Sequence, residues 1–249
     1  MTILRSQSVL LTDIYVNSTS HSRSPSRNTD GADTMFADNI TFRRWTVING
    51  DDGIALKANS SNVVIEDCEF HGLGFALGSI GQYRGVFEHI ENVAVKGLRY
   101  YGTQWPVYIK TWTGVSKGVP PNGGGGGLGC KSSGSEEYLA NIVDIRNITI
   151  SNVMMTRAQG AFQINQCTHF RNGGQAGDCD TSRFQIRDVQ VSDIKGTITK
   201  DSVASLKCSP KAPCPGLSFS NINIKKASGG AVQKYSCSNV VNPKGFNCG

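Results

Sequence analysis

The chain has 249 residues, a formal net charge of +6 and a charged fraction of only 18%. Its 29 glycines are about 12% of the residues, against a typical share of about 7%, which favours a turn-rich β protein over a helical bundle. The basic residues are scattered rather than interleaved with aromatics, and no apolar run reaches membrane-spanning length, so neither a nucleic-acid partner nor a membrane is expected.

Short stretches of alternating β-branched and aromatic residues recur along the chain, most of them opened by Asn, and predict β-strands. In chain order they begin at Asn39, Asn62, Asn92, Asn147, Phe184 and Leu217. A unit of about 20–30 residues separated by Gly, Asn and Asp turns predicts an all-β solenoid, here a right-handed parallel β-helix. A β-sandwich is the alternative, but it would need more hairpin signals than the three Asn-Gly pairs at 49–50, 122–123 and 172–173.

One segment interrupts this rhythm. Residues 119–146 open with a Gly-rich run and contain CKSSGSEEYLANIVDI at 130–145, which we interpret as an insertion. We expect a long loop on the solenoid rather than a linker between two domains, because the same strand pattern resumes at Asn147. Residues 1–249 are therefore expected to form a single β-helix domain.

Four aspartates, Asp30, Asp33, Asp51 and Asp52, lie in the turn sequences NTDGAD and NGDDG. Loop aspartates are commonly solvated turn formers. Asp30 and Asp51, however, are 21 residues apart, close to one coil, so we expect them to stack about 4.8 Å apart with Asp52 beside them. Carboxylates this close cannot all ionise readily, so at least one should have a raised pKa.

The next coils carry further candidate site residues. HGLGFALGSIG at 71–81 contains His71, Leu73 and Gly74, and its small residues would let a sugar approach the backbone. In VYIKTW, Tyr108 and Lys110 would point the same way from one strand. Taken alone, Lys110 would be interpreted as a solvated surface charge.

Eight cysteines indicate an oxidising compartment. Three pairs each close a short loop and are candidate disulfides: Cys167 with Cys179, Cys208 with Cys214, and Cys237 with Cys248. Zinc is the competing interpretation, but no CxxC occurs and the His residues are not at ligand spacing. Cys68 and Cys130 have no obvious local partner.

Four Asn-X-Ser/Thr sequons are candidate glycosylation sites and fit a secreted, extracellular glycoprotein. They begin at Asn17, Asn39, Asn59 and Asn147. The first sixteen residues, MTILRSQSVLLTDIYV, do not have the pattern of a signal peptide.

Four ordered motifs resemble glycoside hydrolase family 28, the pectin-degrading polygalacturonases and rhamnogalacturonan hydrolases. They are NTDG at 28–31, GDD at 50–52, GLGFALGSIG at 72–81 and YIK at 108–110, supported by CSPKAPC at 208–214 and the Cys-terminated tail. The resemblance covers nearly the whole chain and implies inverting hydrolysis without metal or other cofactor by a monomer acting on pectic oligo- or polysaccharide. It implies that Asp51 is the general acid and that Asp30 and Asp52 activate water, with the carboxyl groups of acid and base about 6.5–9.5 Å apart.

Two departures from the family pattern bear on the substrate. Leu73 stands where polygalacturonases carry the His of Gly-His-Gly, and Tyr108 stands where they carry Arg, which can clamp a carboxylate with two hydrogen bonds. Together with Lys110 and Gly74, these residues are the candidate substrate-binding set; His71 could replace the missing His, although a surface histidine is the favoured interpretation. An apolar wall at Leu73 would suit the methyl group of rhamnose. We therefore predict an exo-acting α-L-rhamnosidase, with an exo-polygalacturonase as the alternative.

The resemblance also implies several coils before NTDG, so we expect an N-terminally truncated member with marginal solubility and impaired activity. Two other classes stay open. One is a non-catalytic carbohydrate-binding β-helix, and the other is a lyase-like β-helix whose carboxylates would bind Ca²⁺.

Overall fold

The computed structural model describes residues 1–22, 24–83, 87–115, 144–169 and 174–249. Within these ranges the only helix is a short 3-10 turn at Asp178–Thr181, and nothing described there is a helix long and apolar enough to cross a membrane. The strands are β1 (Thr2–Leu4), β2 (Gln7–Thr12), β3 (Tyr15–Ser18), β4 (Ala32–Met35), β5 (Ala37–Arg43), β6 (Thr46–Asn49), β7 (Asp52–Leu56), β8 (Ser60–Glu66), β9 (Glu69–His71), β10 (Gly74–Ile80), β11 (His89–Lys96), β12 (Arg99–Tyr101), β13 (Val107–Trp112), β14 (Asp144–Ala158), β15 (Phe162–Thr168), β16 (Gln185–Ile198), β17 (Ser202–Lys207), β18 (Cys214–Pro215), β19 (Leu217–Lys226), β20 (Lys234–Ser238) and β21 (Val240–Val241).

The strands wind into successive coils that stack along one axis. The first sheet has eight strands in the order β1-β4-β7-β10-β13-β15-β17-β20. The second sheet has eleven strands, β2-β5-β8-β11-β14-β12-β9-β6-β3 with β16 and β19 continuing from β14, while β18 and β21 form a small pair. Every pairing between these strands is parallel. The predicted right-handed parallel β-helix is confirmed, and an antiparallel sandwich is excluded.

The recurrent Asn of the sequence pattern occupies a left-handed backbone position inside the strands of the second sheet. Four stacked residues share φ values of 54–56°: Asn39, Asn62, Asn92 and Asn147. Asn adopts this conformation more readily than most residues because its short side chain can hydrogen-bond locally. The side-chain amide of Asn147 donates to Asn92 Oδ1 at 2.7 Å, and the side-chain amide of Asn92 donates to Asn62 Oδ1 at 3.0 Å. Asn therefore marks the same bend in these four coils.

Rows of apolar side chains fill the interior, one residue from each coil. One row of fully buried residues pairs in register across the first sheet: Leu56, Leu77, Ile109, Ile164 and Leu206. Each such side chain contributes about 1.5–3 kcal/mol by burial. Because strand side chains alternate, the neighbouring row faces outward and includes Tyr108 and Gln163, so the outer face of the first sheet carries polar groups.

All three predicted disulfides are confirmed: Cys167–Cys179, Cys208–Cys214 and Cys237–Cys248. Cys68 is buried with a free thiol, and Cys130 lies outside the described residues.

The predicted loop at 119–146 falls mostly outside the described residues, which end at 115 and resume at 144. Its predicted end is wrong by three residues, because β14 already begins at Asp144. The Asp144 carboxylate is fully buried and forms ion pairs with Arg146 and Arg187, both at 2.9 Å, which holds the start of this strand in place.

The sequons differ in accessibility. Asn17, Asn39 and Asn147 are exposed. Asn59 is half-buried; its side-chain amide donates to the Phe87 carbonyl at 3.4 Å and its Oδ1 accepts from the His89 amide at 3.2 Å. Glycosylation therefore stays a prediction, and at Asn59 a glycan would compete with these contacts.

Candidate active site

Three aspartates converge where the turns between coils enter the first sheet. Asp30 lies just before β4, Asp51 just before β7, and Asp52 is the first residue of β7. One carboxylate oxygen from each lies within 4.8 Å of the others. The convergence expected from the sequence is therefore present.

The vertical alignment of these residues differs from the prediction by one position. Strands β4 and β7 pair with an offset of 22 residues, so Asp30 aligns with Asp52. Asp51 instead lies below Leu73, whose amide donates to the Asp51 carbonyl at 3.1 Å. The prediction that Asp30 stacks on Asp51 was wrong, because it took the coil length from the spacing of the aspartates rather than from strand pairing.

Backbone amides hold the half-buried Asp51 carboxylate. The Asn28 amide donates to Oδ2 at 2.8 Å, and the Asp52 amide donates to Oδ1 at 2.9 Å. The side-chain amide of Asn49 links the two turns by donating to the carbonyls of Thr29 at 2.9 Å and Asp52 at 2.8 Å. Sequence reasoning missed the positioning roles of Asn28 and Asn49, although both lie within the motifs that it singled out.

Asp52 and Lys110 form a buried ion pair, with Lys110 Nζ 2.6 Å from Asp52 Oδ2. The side chain of Lys110 is 16% exposed and that of Asp52 is 3% exposed. Burial raises the pKa of Asp52, and the Lys110 ammonium opposes that rise. Burial alone would lower the pKa of Lys110, but the Asp52 carboxylate outweighs burial and holds the pKa above its usual value. Lys110 is therefore part of the site and not a solvated surface charge.

Asp30 lies beside a second cation that sequence reasoning missed. Lys57 Nζ is 3.8 Å from Asp30 Oδ2 and 3.4 Å from Asp33 Oδ1, and it donates to the Gly78 carbonyl at 3.1 Å. The pKa of Asp30 is raised to about 7, first by burial and then by Asp33 and Asp52, while Lys57 lowers it. Strand alternation offers a signal for Lys57, since Asp33 pairs with Ala55 and Lys57 follows two residues later on the same face.

The expectation that at least one of the acids has a raised pKa is met at Asp30 and Asp52. These are the two carboxyl groups that the resemblance assigns to water activation. The carboxylate oxygens lie within 4.8 Å of one another. A single water that makes one hydrogen bond of about 2.7 Å to each of two such oxygens can bridge this distance. The arrangement can therefore hold a water between carboxylates.

Tyr108 and Leu73 lie on the coils that follow the aspartates. The Tyr108 ring lies 5.2 Å from Lys110 Nζ and 6.5 Å from the Trp105 ring, and its hydroxyl accepts from the Asn165 side chain at 3.2 Å. Leu73 is half-buried in the turn that stacks on Asp51.

The structure gives His71 and Gly74 other roles. His71 ends β9 in the second sheet, where its Nε2 hydrogen-bonds Glu69 Oε1 at 2.8 Å and its ring stacks on Tyr101 at 5.0 Å. Gly74 is buried, and a Cβ there would lie 2.7 Å from the Pro106 carbonyl oxygen. The missing side chain therefore makes room for the next coil, and substrate contact at Gly74 stays a prediction.

The three carboxylates are also close enough to hold a cation. Calcium, however, takes about 6–8 oxygen ligands. The Lys110 ammonium already contacts Asp52 Oδ2 and neutralises part of the cluster. This pairing favours a hydrolytic interpretation over a calcium-dependent one.

Comparisons with known proteins identify the family of this chain. The family model described as glycosyl hydrolases family 28 matches residues 1–120 and 130–248. An α-L-rhamnosidase (rgxB) of Aspergillus niger is 42% identical over 251 residues, covering 100% of this chain and 55% of that protein. A putative galacturan 1,4-α-galacturonidase A of Aspergillus niger is 35% identical over 242 residues, covering 88% of this chain and 52% of that protein. The chain spans about half the length of the curated relatives it matches.

Two solved structures support the fold. The endo-xylogalacturonan hydrolase from Aspergillus tubingensis superposes with a TM-score of 0.76 at 23% identity, covering 98% of this chain and 59% of that one. A polygalacturonase from Erwinia carotovora gives a TM-score of 0.55 at 19% identity, covering 98% and 55%.

Proposed function

The chain belongs to glycosyl hydrolases family 28, and on that premise we propose that it is an exo-acting, inverting glycosidase that releases rhamnose from rhamnogalacturonan-type pectic chains. The observation that carries this proposal is the convergence of three carboxylates within 4.8 Å, each held differently. Backbone amides orient Asp51, a lysine pairs with Asp52, and Asp30 has a pKa near neutrality.

In this mechanism Asp51 protonates the leaving oxygen while Asp30 and Asp52 hold and deprotonate the attacking water. A carboxylate whose pKa is about 7 is a stronger base than an ordinary aspartate, and a catalytic pKa near the working pH is the most effective. Burial raises the pKa of Asp52, and pairing with Lys110 favours the charged form against that burial. The cluster thus combines one strong base with a second carboxylate that orients the water.

The stereochemical outcome has its own test. The closest carboxylate oxygens lie within 4.8 Å, whereas the carboxyl groups of most inverting enzymes are about 6.5–9.5 Å apart. We propose inversion because a gap of this width can accommodate one bridging water, so the nucleophile can be water and not a carboxylate. Proton NMR of the first sugar released should show the inverted anomer, and a retained anomer would overturn this step.

The preference for rhamnose is supported by two residues of the coils that follow the aspartates. The backbone of the Leu73 turn stacks on Asp51, so an apolar residue stands there in place of an imidazole. Tyr108, next to Lys110, lacks the guanidinium that would clamp a galacturonate carboxylate. The α-L-rhamnosidase relative at 42% identity supports the same assignment. The galacturonidase relative at 35% identity supports the exo-polygalacturonase alternative.

The test incubates the protein with rhamnogalacturonan oligosaccharides and with oligogalacturonides, in chelator. Asp51→Asn is the inactive variant, and Asp201→Asn, at an aspartate whose side chain is 76% exposed, is the matched control. Rhamnose release by the parent and the control, reduced about 10²–10⁴-fold by Asp51→Asn, is the expected result.

Other outcomes decide between the alternatives. Galacturonic acid as the product would show that Leu73 and Tyr108 were over-interpreted. Activity abolished by chelator and restored by calcium would identify the lyase-like class. A folded protein that binds both sugars and releases neither would favour the non-catalytic β-helix.

We also infer that the protein is secreted. Its three disulfides favour an oxidising compartment, and the pectic polysaccharide proposed as substrate is extracellular.

A further inference from the structure

The turns that enter the first sheet stack on one another and form a continuous wall beyond the aspartates. The Leu73 amide bonds the Asp51 carbonyl, and the Gln104 amide bonds the carbonyl of the adjoining turn at Gly72, at 3.1 Å in both cases. Trp105 therefore lies two coils beyond Asp51, roughly 10 Å along the axis at about 4.8 Å per coil. The wall continues for two more coils, since the Lys200 amide bonds the Gln159 carbonyl at 3.0 Å.

A strip of cations and aromatic rings runs along this wall from the catalytic cluster. Lys110 Nζ contacts Asp52 and lies 5.2 Å from the Tyr108 ring. The Tyr108 and Trp105 rings are 6.5 Å apart, and Lys200 Nζ lies 4.2 Å from the centre of the Trp105 ring. Each member touches the next, so the strip is continuous with the site.

A glycine allows the outer pair to form. Gly160 belongs to the coil between Trp105 and Lys200, and a Cβ at this position would lie 2.9 Å from the Trp105 ring. Without that side chain the half-buried indole lies across the intervening coil, where the Lys200 ammonium can reach it.

Lys200 differs from the other two lysines of the site in its charge balance. Lys110 is paired with Asp52, and Lys57 is paired with Asp30 and Asp33. Lys200 is exposed and forms no salt bridge within the part of the chain that the structure describes. Its contact with the indole contributes about 0.5–1 kcal/mol and restricts where the ammonium lies.

We propose that Trp105 and Lys200 form a second sugar subsite that binds an acidic sugar, with its ring against the indole and its carboxylate at the Lys200 ammonium. The inference rests on the proposed function, because it names the sugar that flanks the bond to be cleaved. Lys200 supplies the positive charge that is missing at Tyr108, but at a position farther from the aspartates. The site would then distinguish a neutral deoxy sugar at the aspartates from an acidic sugar beyond them.

The test measures binding without turnover. In the Asp51→Asn background, Lys200→Met is compared with Lys195→Met, a matched change at an exposed lysine on the second sheet. The ligands are a rhamnogalacturonan oligosaccharide and the same oligosaccharide with its carboxyl groups reduced, and the readout is titration calorimetry. Lys200→Met should weaken binding of the acidic ligand about threefold to tenfold, a loss that shrinks as salt screens the charge. It should leave the reduced ligand unaffected.

A second variant tests the aromatic half of the subsite. Trp105→Ala should weaken both ligands, because stacking against the indole does not depend on the carboxylate. Equal affinities of Lys200→Met and Lys195→Met for the acidic ligand would overturn the proposal, as would equal losses for both ligands. Hydrolysis of a nitrophenyl α-L-rhamnoside by the parent tests the proposed function separately. Hydrolysis of this substrate together with unchanged binding in Lys200→Met rejects only the subsite. Weakened binding in Lys200→Met without hydrolysis by the parent rejects only the proposed hydrolase activity.

Discussion

Replacing Lys57 with Met should raise the pKa of Asp30 and move hydrolysis to more alkaline pH. Lys57 Nζ lies 3.8 Å from Asp30 Oδ2, and unit charges at that distance attract by about 4 kcal/mol at an effective dielectric constant of about 20. This is an upper bound, because Lys57 also pairs with Asp33 at 3.4 Å and both side chains are partly exposed. We expect a rise of about one pKa unit, or about 1.4 kcal/mol.

The assay is the pH dependence of kcat/KM for the parent, Lys57→Met and Lys57→Arg. If ionised Asp30 is the base, kcat/KM rises as the pH passes the pKa of Asp30, which is about 7 in the parent. In Lys57→Met the midpoint of that rise should lie about one unit higher. Lys57→Arg retains the charge and should keep the midpoint of the parent.

Carbon NMR titration of the Asp30 carboxyl separates the two steps of this reasoning. An unchanged pKa in Lys57→Met would refute the electrostatic role of Lys57. A raised pKa with an unchanged pH profile would refute the role of Asp30 as base.

Three further predictions concern stability. The folded-state pKa of Asp30, about 7, is above its value of 3.8 in the unfolded chain, so the parent loses stability as the pH rises from about 4 to 7. Asp30→Asn avoids this loss and should gain about 2 kcal/mol over the parent across that range. Urea unfolding at both pH values measures the gain, and a difference that does not depend on pH would contradict it. Replacing Cys208 and Cys214 with Ser opens a short loop and should lower the free energy of unfolding by about 2 kcal/mol, whereas an unchanged urea midpoint would count against a stabilising bridge. Ile148→Ala, at a fully buried position, should cost about 2–5 kcal/mol by thermal unfolding, against about 0.5 or less for the exposed neighbour Thr149→Ala, and similar losses for the two would refute the assigned facing of β14.

The features of this protein that depend on local chemistry were predictable from its residues. Asn recurs inside the strands because a bend there needs a left-handed residue, so the pattern alone predicted a parallel β-helix. The three disulfides were predicted because their cysteines are separated by only 6–12 residues, within reach of each other in a short loop. The three aspartates were found because their motifs lie about one coil apart.

The groups that meet across coils could be identified only from the folded chain. Strand register aligns Asp30 with Asp52 and not with Asp51, and a shift of one residue is invisible when spacing is read from the motifs themselves. The same register brings Lys57 to Asp30 and stacks His71 on Tyr101 in the second sheet. Lys200 is 95 residues from Trp105 in the sequence, and its contact with the indole exists because the solenoid stacks their turns with a glycine between them. Such contacts depend on the exact length of every intervening coil, which local sequence patterns do not specify.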